Sequence, residues 1–285
     1  MRRFRFLTLD VFTGQRFGGN PLAVFPEAEG LADAEMQALA AELNLSETTF
    51  VLPPADPAND ARVRIFNRTA EMPFAGHPNV GTAWALRHRA RGGVLRFEEL
   101  AGLVTVRLED AAATVEAPQP LALGPEMPAE LLAPCLGVAP LGKPVLASCG
   151  NSFVLAEVAA EDLPRAAPDL AAFRAAAAAW PHAAQGGAAP RLPVHLWARS
   201  GAAAIRARMF SPLSGTLEDA ATGSAATPLA ALLHARGEGS AFAITQGVEM
   251  RRPSLLHARA WDAADGVRAS VGGGCVPVLE GWAAL

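Results

Sequence analysis

The chain is 285 residues long, with hydrophobic residues at 51%, charged residues at 18% and a net charge of −4. That balance reads as an ordinary soluble globular protein with a good core and one or two domains. It also argues against several classes: no basic run is long enough for nucleic acid, no apolar stretch is long enough to span a bilayer, and three scattered cysteines (Cys135, Cys149, Cys275) suit neither a disulfide framework nor a metal knot.

The N-terminus MRRFRFLTLD is basic, but Asp10 interrupts it before a long apolar run can form. No signal peptide is expected, and a cytoplasmic protein is. Alternation predicts a strand over residues 4–12. Gly18-Gly19-Asn20-Pro21 is turn chemistry, with Asn20 as a turn residue, and a short strand follows over 22–25. Met36, Leu39 and Leu43 at helical spacing predict a helix over 32–43, with Asn44 as its stop. Glu47 stands where that helix hands over to a β-rich run, 48–52. Residues 62–66 read as a strand.

The next stretch, EMPFAGHPNVGTAWALRHR, runs from a turn into a helix that ends near Ala90. Pro78 suits the first helical position, which puts His77 at the cap. Gly76 lets the backbone approach a ligand closely. The first N–H groups of such a helix lack internal partners and carry partial positive charge, so the stretch is a candidate anion seat with an imidazole at its rim. Short strands are expected over 94–97, 104–108 and 114–116. Pro118, Pro120, Pro125 and Pro128 mark a linker. The second half is expected to contain a strand over 153–158, an alanine-rich helix over 169–180, a loose loop over 181–193, and strands over 194–198 and 205–210. Four more strands, 241–245, 255–259, 267–271 and 275–279, close the chain.

A second copy of the glycine-helix motif, TGSAATPLAALL, lies at 222–233. Gly76-His77 aligns with Gly223-Ser224, a separation of 223 − 76 = 147 residues. Upstream, Arg62-Val63-Arg64-Ile65-Phe66 answers Arg206-Ala207-Arg208-Met209-Phe210. The period is too long for a solenoid and suits two related halves, 1–117 and 118–273. If the halves face each other, both helix N-termini aim at one cleft. Many short strands with one prominent helix per half argue for an α+β fold rather than a doubly wound parallel sheet.

Glu47, His77, Asp219 and Ser224 cluster around these motifs. An acid and a base in a water-poor cleft can move a proton to and from carbon without a cofactor. Each residue also has an ordinary structural reading, as strand cap, turn histidine, loop carboxylate or helix N-cap. The duplication lifts the set above those readings. There is no GxGxxG after a strand, no Walker loop, no HExxH, no zinc-type Cys or His pair and no G-x-S-x-G elbow.

These residues resemble the phenazine biosynthesis PhzF-like family of isomerases. The matching segments are DVFTGQRFGGNPLAVF (10–25), NLSETTFV (44–51), RIFN…EMPFAGHPNVGTAWAL (64–86), EDAATGSAATPLA (218–230) and QGVEMRRPS (246–254). The resemblance implies the diaminopimelate epimerase-like fold: two similar domains, each a barrel-like mixed sheet around a central helix, with the active site between them and the last strand, 274–285, returning to the first domain. It implies a cofactor-free proton shift on a small carboxylate-bearing substrate, no metal, and a homodimer. By motif, Glu47 would shuttle the proton, and His77 and Asp219 would line the substrate. Ser224 and the N–H groups of Gly76 and Gly223 would hold the substrate carboxylate, with Asn20 beside them. The thiol epimerases of this fold carry cysteines at the helix starts, where this chain has GHP and GS. The alternatives are an epimerase using Glu47 and Asp219 as opposed bases, and a binder without turnover. Arg251, Asn67-Arg68 and the alanine-rich stretch 171–190 depart from the family pattern, and the first two bear on substrate choice.

Overall fold

The structure, a computed structural model, describes residues 1–110, 112–184 and 190–285. The chain folds as two compact units, Met1–Pro118 with Ser270–Leu285, and Gln119–Ala269.

The first unit contains β1 (Arg3–Val11), β2 (Asn20–Phe25), α1 (Asp33–Leu43), β3 (Glu47–Leu52), β4 (Ala61–Phe66), β5 (Glu71–Met72), α2 (Gly76–Ala85), β6 (Val94–Glu99), β7 (Gly102–Glu109) and β8 (Ala112–Glu116), and most of a long closing strand, Gly266–Ala284. Pairing runs β1–β2 antiparallel, β2–β3 parallel, β3–β4 antiparallel, β4–β6 parallel, then β6–β7–β8 antiparallel. The closing strand pairs with β8 through Ser270–Gly274 and with β1 through Cys275–Ala284, which shuts a mixed barrel. Helix α2 is buried on every side from Gly76 to Ala83 and packs against β1, β2, β3, β7 and β8, as an all-round small and apolar helix must. At Gly81 an added Cβ would lie 2.5 Å from Leu22 and 2.8 Å from Val11, so glycine sets how closely this helix meets the sheet.

The second unit repeats the plan with β9 (Ala122–Glu126), α3 (Ala129–Leu136), β10 (Val145–Ser148), β11 (Ser152–Glu157), α4 (Leu170–Ala179), β12 (Val194–Arg199), β13 (Ala204–Ser211), β14 (Thr216–Asp219), α5 (Gly223–Ala235), β15 (Ala241–Gln246) and β16 (Ser254–Ala263). Its parallel pairs, β11–β12 and β13–β15, match β2–β3 and β4–β6. Helix α5 is buried from Ala225 to Leu233 against β10, β11, β15 and β16. The outer face of β11 and β12 packs on α3 and α4 around Phe173, Leu132 and Leu196. The α+β architecture with a mixed barrel around a central helix is as expected.

Several local expectations need correction. Helix α2 starts one residue before His77 and ends at Ala85, with a separate 3-10 turn at Arg87–Arg89. Ala75 is therefore the cap, and Pro78 is the third residue, where its missing N–H still falls among the unbonded first-turn donors. In the same way Thr222, not Ser224, caps α5. The proline-rich linker contains strand β9, paired with β10. The two final strands are one, because the glycines at 272–274 continue the strand rather than break it. The expected loop over 181–193 begins as a 3-10 turn, Pro181–Ala184, and residues 185–189 lie outside the described residues. No described helix is long and apolar enough to cross a membrane.

Candidate active site

In the first unit the parallel β2–β3 pairing sets Glu47, the first residue of β3, beside Leu22. Helix α2 brings His77 to it: Nδ1 of His77 lies 3.4 Å from Oε2 of Glu47. His77 is only 5% exposed, and burial pushes its pKa down to about 3. The contact is thus one between a carboxyl group and a neutral imidazole. The other ring nitrogen, Nε2, is buried and has no hydrogen-bond partner among the described residues. Asn20, buried at the start of β2, accepts a hydrogen bond from the Ser46 hydroxyl at 3.1 Å. That ties the turn residue to the strand carrying Glu47.

In the second unit Asp219 ends β14. Its Oδ2 accepts from Thr222 Oγ1 at 2.6 Å, one residue ahead of Gly223 and two ahead of Ser224. The fully buried Gln246 locks this turn. Its Oε1 accepts from Thr222 N at 3.2 Å, and its Nε2 donates to Asp219 O at 2.9 Å and Thr222 Oγ1 at 3.0 Å. Ser254 Oγ donates to Ala220 O at 2.9 Å. Gly247, at φ +74°, fills the remaining gap; a Cβ there would lie 2.5 Å from both the Ala220 and Arg252 carbonyl oxygens. The segment QGVEMRRPS therefore supports the Asp219 turn rather than forming a separate feature.

Each unit also holds its turn with an arginine on the preceding strand. Arg64 donates from Nε and Nη2 to the two oxygens of Glu71 at 2.7 and 2.6 Å. Arg208 does the same to Glu218 at 2.8 Å for both bonds. The guanidinium groups stack over Phe66 and Phe210, with their centres 5.1 and 4.9 Å from the rings. Glu71 and Glu218 stand at the same distance ahead of the helix glycine, 76 − 71 = 223 − 218 = 5 residues.

Sequence reasoning singled out Glu47, His77, Asp219 and Ser224. Glu47 meets His77 in one unit, and Asp219 sits at the turn before Ser224 in the other. Thr222, Gln246 and the two arginine–glutamate forks were missed. The 147-residue spacing pairs Glu71 with Glu218 and would have revealed them. Among the described residues no group of His, Cys, Asp and Glu is arranged to hold a metal ion. A carboxyl group against a neutral imidazole, at the N-terminus of α2 whose first N–H groups have no partner within the helix, can exchange a proton with a bound acid and steady the charge that develops.

Comparison with known proteins agrees with this architecture. The family model for phenazine biosynthesis-like proteins, PhzC-PhzF, matches residues 9–281. The chain is 39% identical to trans-2,3-dihydro-3-hydroxyanthranilate isomerase of Pseudomonas aeruginosa, over 99% of both chains. A solved PhzF-family protein of Bacillus anthracis superposes with a TM-score of 0.87 over 100% of both chains at 23% identity. A predicted epimerase of Pseudomonas aeruginosa superposes with a TM-score of 0.79 over 98% of both chains at 32% identity. On these grounds the chain is an isomerase and belongs to the phenazine biosynthesis-like protein family.

Proposed function

We propose that this isomerase moves a proton between carbons of a small unsaturated amino- or hydroxy-carboxylic acid, without a cofactor, and that Glu47 is the group that carries it. The observation that supports this most is the 3.4 Å contact between Glu47 and the buried, neutral His77. A neutral imidazole beside a carboxyl group leaves that carboxyl free to cycle between acid and base. His77 then orients Glu47 and offers Nε2 to the substrate. The N–H groups at Gly76 and Gly223 and the Ser224 hydroxyl take the substrate carboxylate. Asp219 lines the same substrate, and Asn20 stands at the rim. In this reading both half-sites, 1–117 (with 274–285) and 118–273, serve one substrate, and the protein is a homodimer.

The name of the Pseudomonas aeruginosa relative points to trans-2,3-dihydro-3-hydroxyanthranilate as the first compound to try. Incubation in deuterated water, followed by NMR, reads both turnover and label. Rearrangement with partial retention of the substrate's own hydrogen, lost in Glu47→Gln, supports a one-base shift. The likeness to a predicted epimerase keeps a second reading, in which Glu47 and Asp219 act as opposed bases. That reading requires full exchange with solvent and equal dependence on Asp219. Undiminished turnover in Glu47→Gln would overturn the role of Glu47 in both.

A further inference from the structure

Glu99 ends β6 as Gln246 ends β15, and the separation, 246 − 99 = 147, is that of the two helix glycines. The strands agree in register: Arg62 pairs with Glu98 in one unit and Arg206 with Thr245 in the other. In the second unit the amide of Gln246 pins the turn before α5. The first unit has a carboxyl group at that place.

That carboxyl group is badly placed for a charge. Both oxygens of Glu99 are shut off from solvent and have no hydrogen-bond partner among the described residues. The Asn79 side chain lies against it. Asn79 Nδ2 donates to Ala75 O at 3.1 Å, which fixes the amide and leaves Oδ1 buried and unpartnered. An ionised Glu99 would leave three buried acceptors, its own two oxygens and Asn79 Oδ1, with only the second Asn79 N–H to share among them. A proton on Glu99 supplies the missing donor.

We propose that Glu99 works as a neutral carboxylic acid, donating to Asn79 Oδ1, and so acts as a positioning residue for His77 through the relay Glu99–Asn79–Ala75. The relay ends on the cap residue of α2, two residues before His77. It does with a protonated acid what Gln246 does with an amide. Ala75 has no side chain to offer where Thr222 stands in the other unit, and Asn79 makes up the reach.

The charged groups around Glu99 act on one another: Arg62 is exposed and acts on Glu98 and Asp33. Glu99 lines a cleft of 410 Å3, bounded by Asp33 of α1, Arg62 and Arg64 of β4, Glu71 of β5 and Glu98 of β6. Arg64 is held by Glu71 and Asp33. Glu98 accepts from the Ala55 and Asp56 amides and from Asn59. Opposite Glu99, β7 presents Gly102. Burial raises the Glu99 pKa to about 8, although the Asn79 amide offsets part of the shift.

The test compares wild type with Glu99→Gln, which keeps a neutral donor, and Glu99→Ala, which does not. Carbon-13 labelling of the glutamate carboxyls gives a resonance that is lost in Glu99→Gln and is thereby assigned. Its midpoint is expected near 8, and a midpoint near the ordinary 4.5 would overturn the proposal. The gain in unfolding midpoint of Glu99→Gln over wild type is expected to grow between pH 5 and pH 8. A constant offset would count against it. A kinetic arm rests on the isomerisation proposed above. There kcat of wild type falls about tenfold per pH unit above 8 and that of Glu99→Gln does not, while Glu99→Ala is impaired throughout. An identical alkaline limb in wild type and Glu99→Gln would overturn the link to His77. The first two arms need no substrate, so failure of the isomerase reading leaves them intact.

Discussion

Arg64 and Glu71 face each other as a two-pronged fork, and the side chains are only 17% and 21% exposed. A guanidinium group matches a carboxylate in plane and spacing, so the pair fixes the orientation of the turn as well as its distance. The fork between Arg208 and Glu218 is its counterpart, more deeply set at 7% and 16%. Arg208 also donates from Nη1 to the Leu163 and Ala166 carbonyls at 3.0 and 2.7 Å.

Removing one partner of a buried ion pair leaves the other uncompensated and costs about 3 kcal/mol or more. Arg64→Ala is expected to lose about that much. Arg208→Ala is expected to lose more, since the Leu163, Pro164 and Ala166 carbonyls also lose a donor. Urea unfolding of both variants checks the order, and a larger loss for Arg64→Ala would contradict it.

Glu47→Gln is expected to reduce kcat by at least about a hundredfold, the usual scale for losing a general acid–base group. Glu47 is partly exposed and begins a strand, so the thermal midpoint should barely move. A fall in kcat accompanied by an equal loss of stability would mean that Glu47 serves the fold.

His77 and His195 are both buried, and both are held by burial near a pKa of about 3. Unfolded histidine takes a proton near pH 6.5, whereas these stay neutral in the folded state until about pH 3. Stability is therefore present above about pH 6.5 and is lost as the pH falls below it. At pH 5 each histidine accounts for a loss on the order of 2 kcal/mol. His195 has both ring nitrogens unpartnered among the described residues, so His195→Leu is expected to be neutral or stabilising at pH 7 and to soften the acid limb. Urea midpoints at pH 7 and pH 5 read this directly. An unchanged acid limb would rule His195 out as its source.

Gly247→Ala places a Cβ against two backbone carbonyls at a positive φ, and is expected to cost about 3 kcal/mol. Because the strain falls on the Ala220 turn, KM should rise in molecules that remain folded. Gln246→Leu should act in the same direction by stranding the Thr222 amide. Steady-state kinetics below the unfolding transition separate this from simple loss of protein.

Much of this molecule was legible because its motifs are duplicated. Glycine, small residues and a basic strand recur in order, and that recurrence gave both central helices and the residues now found at their starts. The two-residue strand at Glu71–Met72 and the four-residue strands β10 and β14 were not legible, since so few residues carry no period. The closing strand looked broken at its glycines. Yet a Cβ at Gly272 would lie 2.2 Å from Thr114 Oγ1, so glycine lets the strand press on β8 just before it crosses to β1. Glu99 read as an ordinary charge at a strand end. Nothing in its neighbours announces that both oxygens are buried, which is a property of the barrel and not of the segment.

That closing strand also fixes an order of events during synthesis. The ribosome makes β1 to β8 first, but the seam between β8 and β1 waits for residues 270–284, which emerge after the second unit. Until then β1 and β8 present open edges, the usual hazard for mispairing. The second unit is complete at Ala269, before that strand segment is made. A chain stopped there should yield a folded second half tethered to an unsealed first half, so a trimmed C-terminus injures the part of the molecule that was made first.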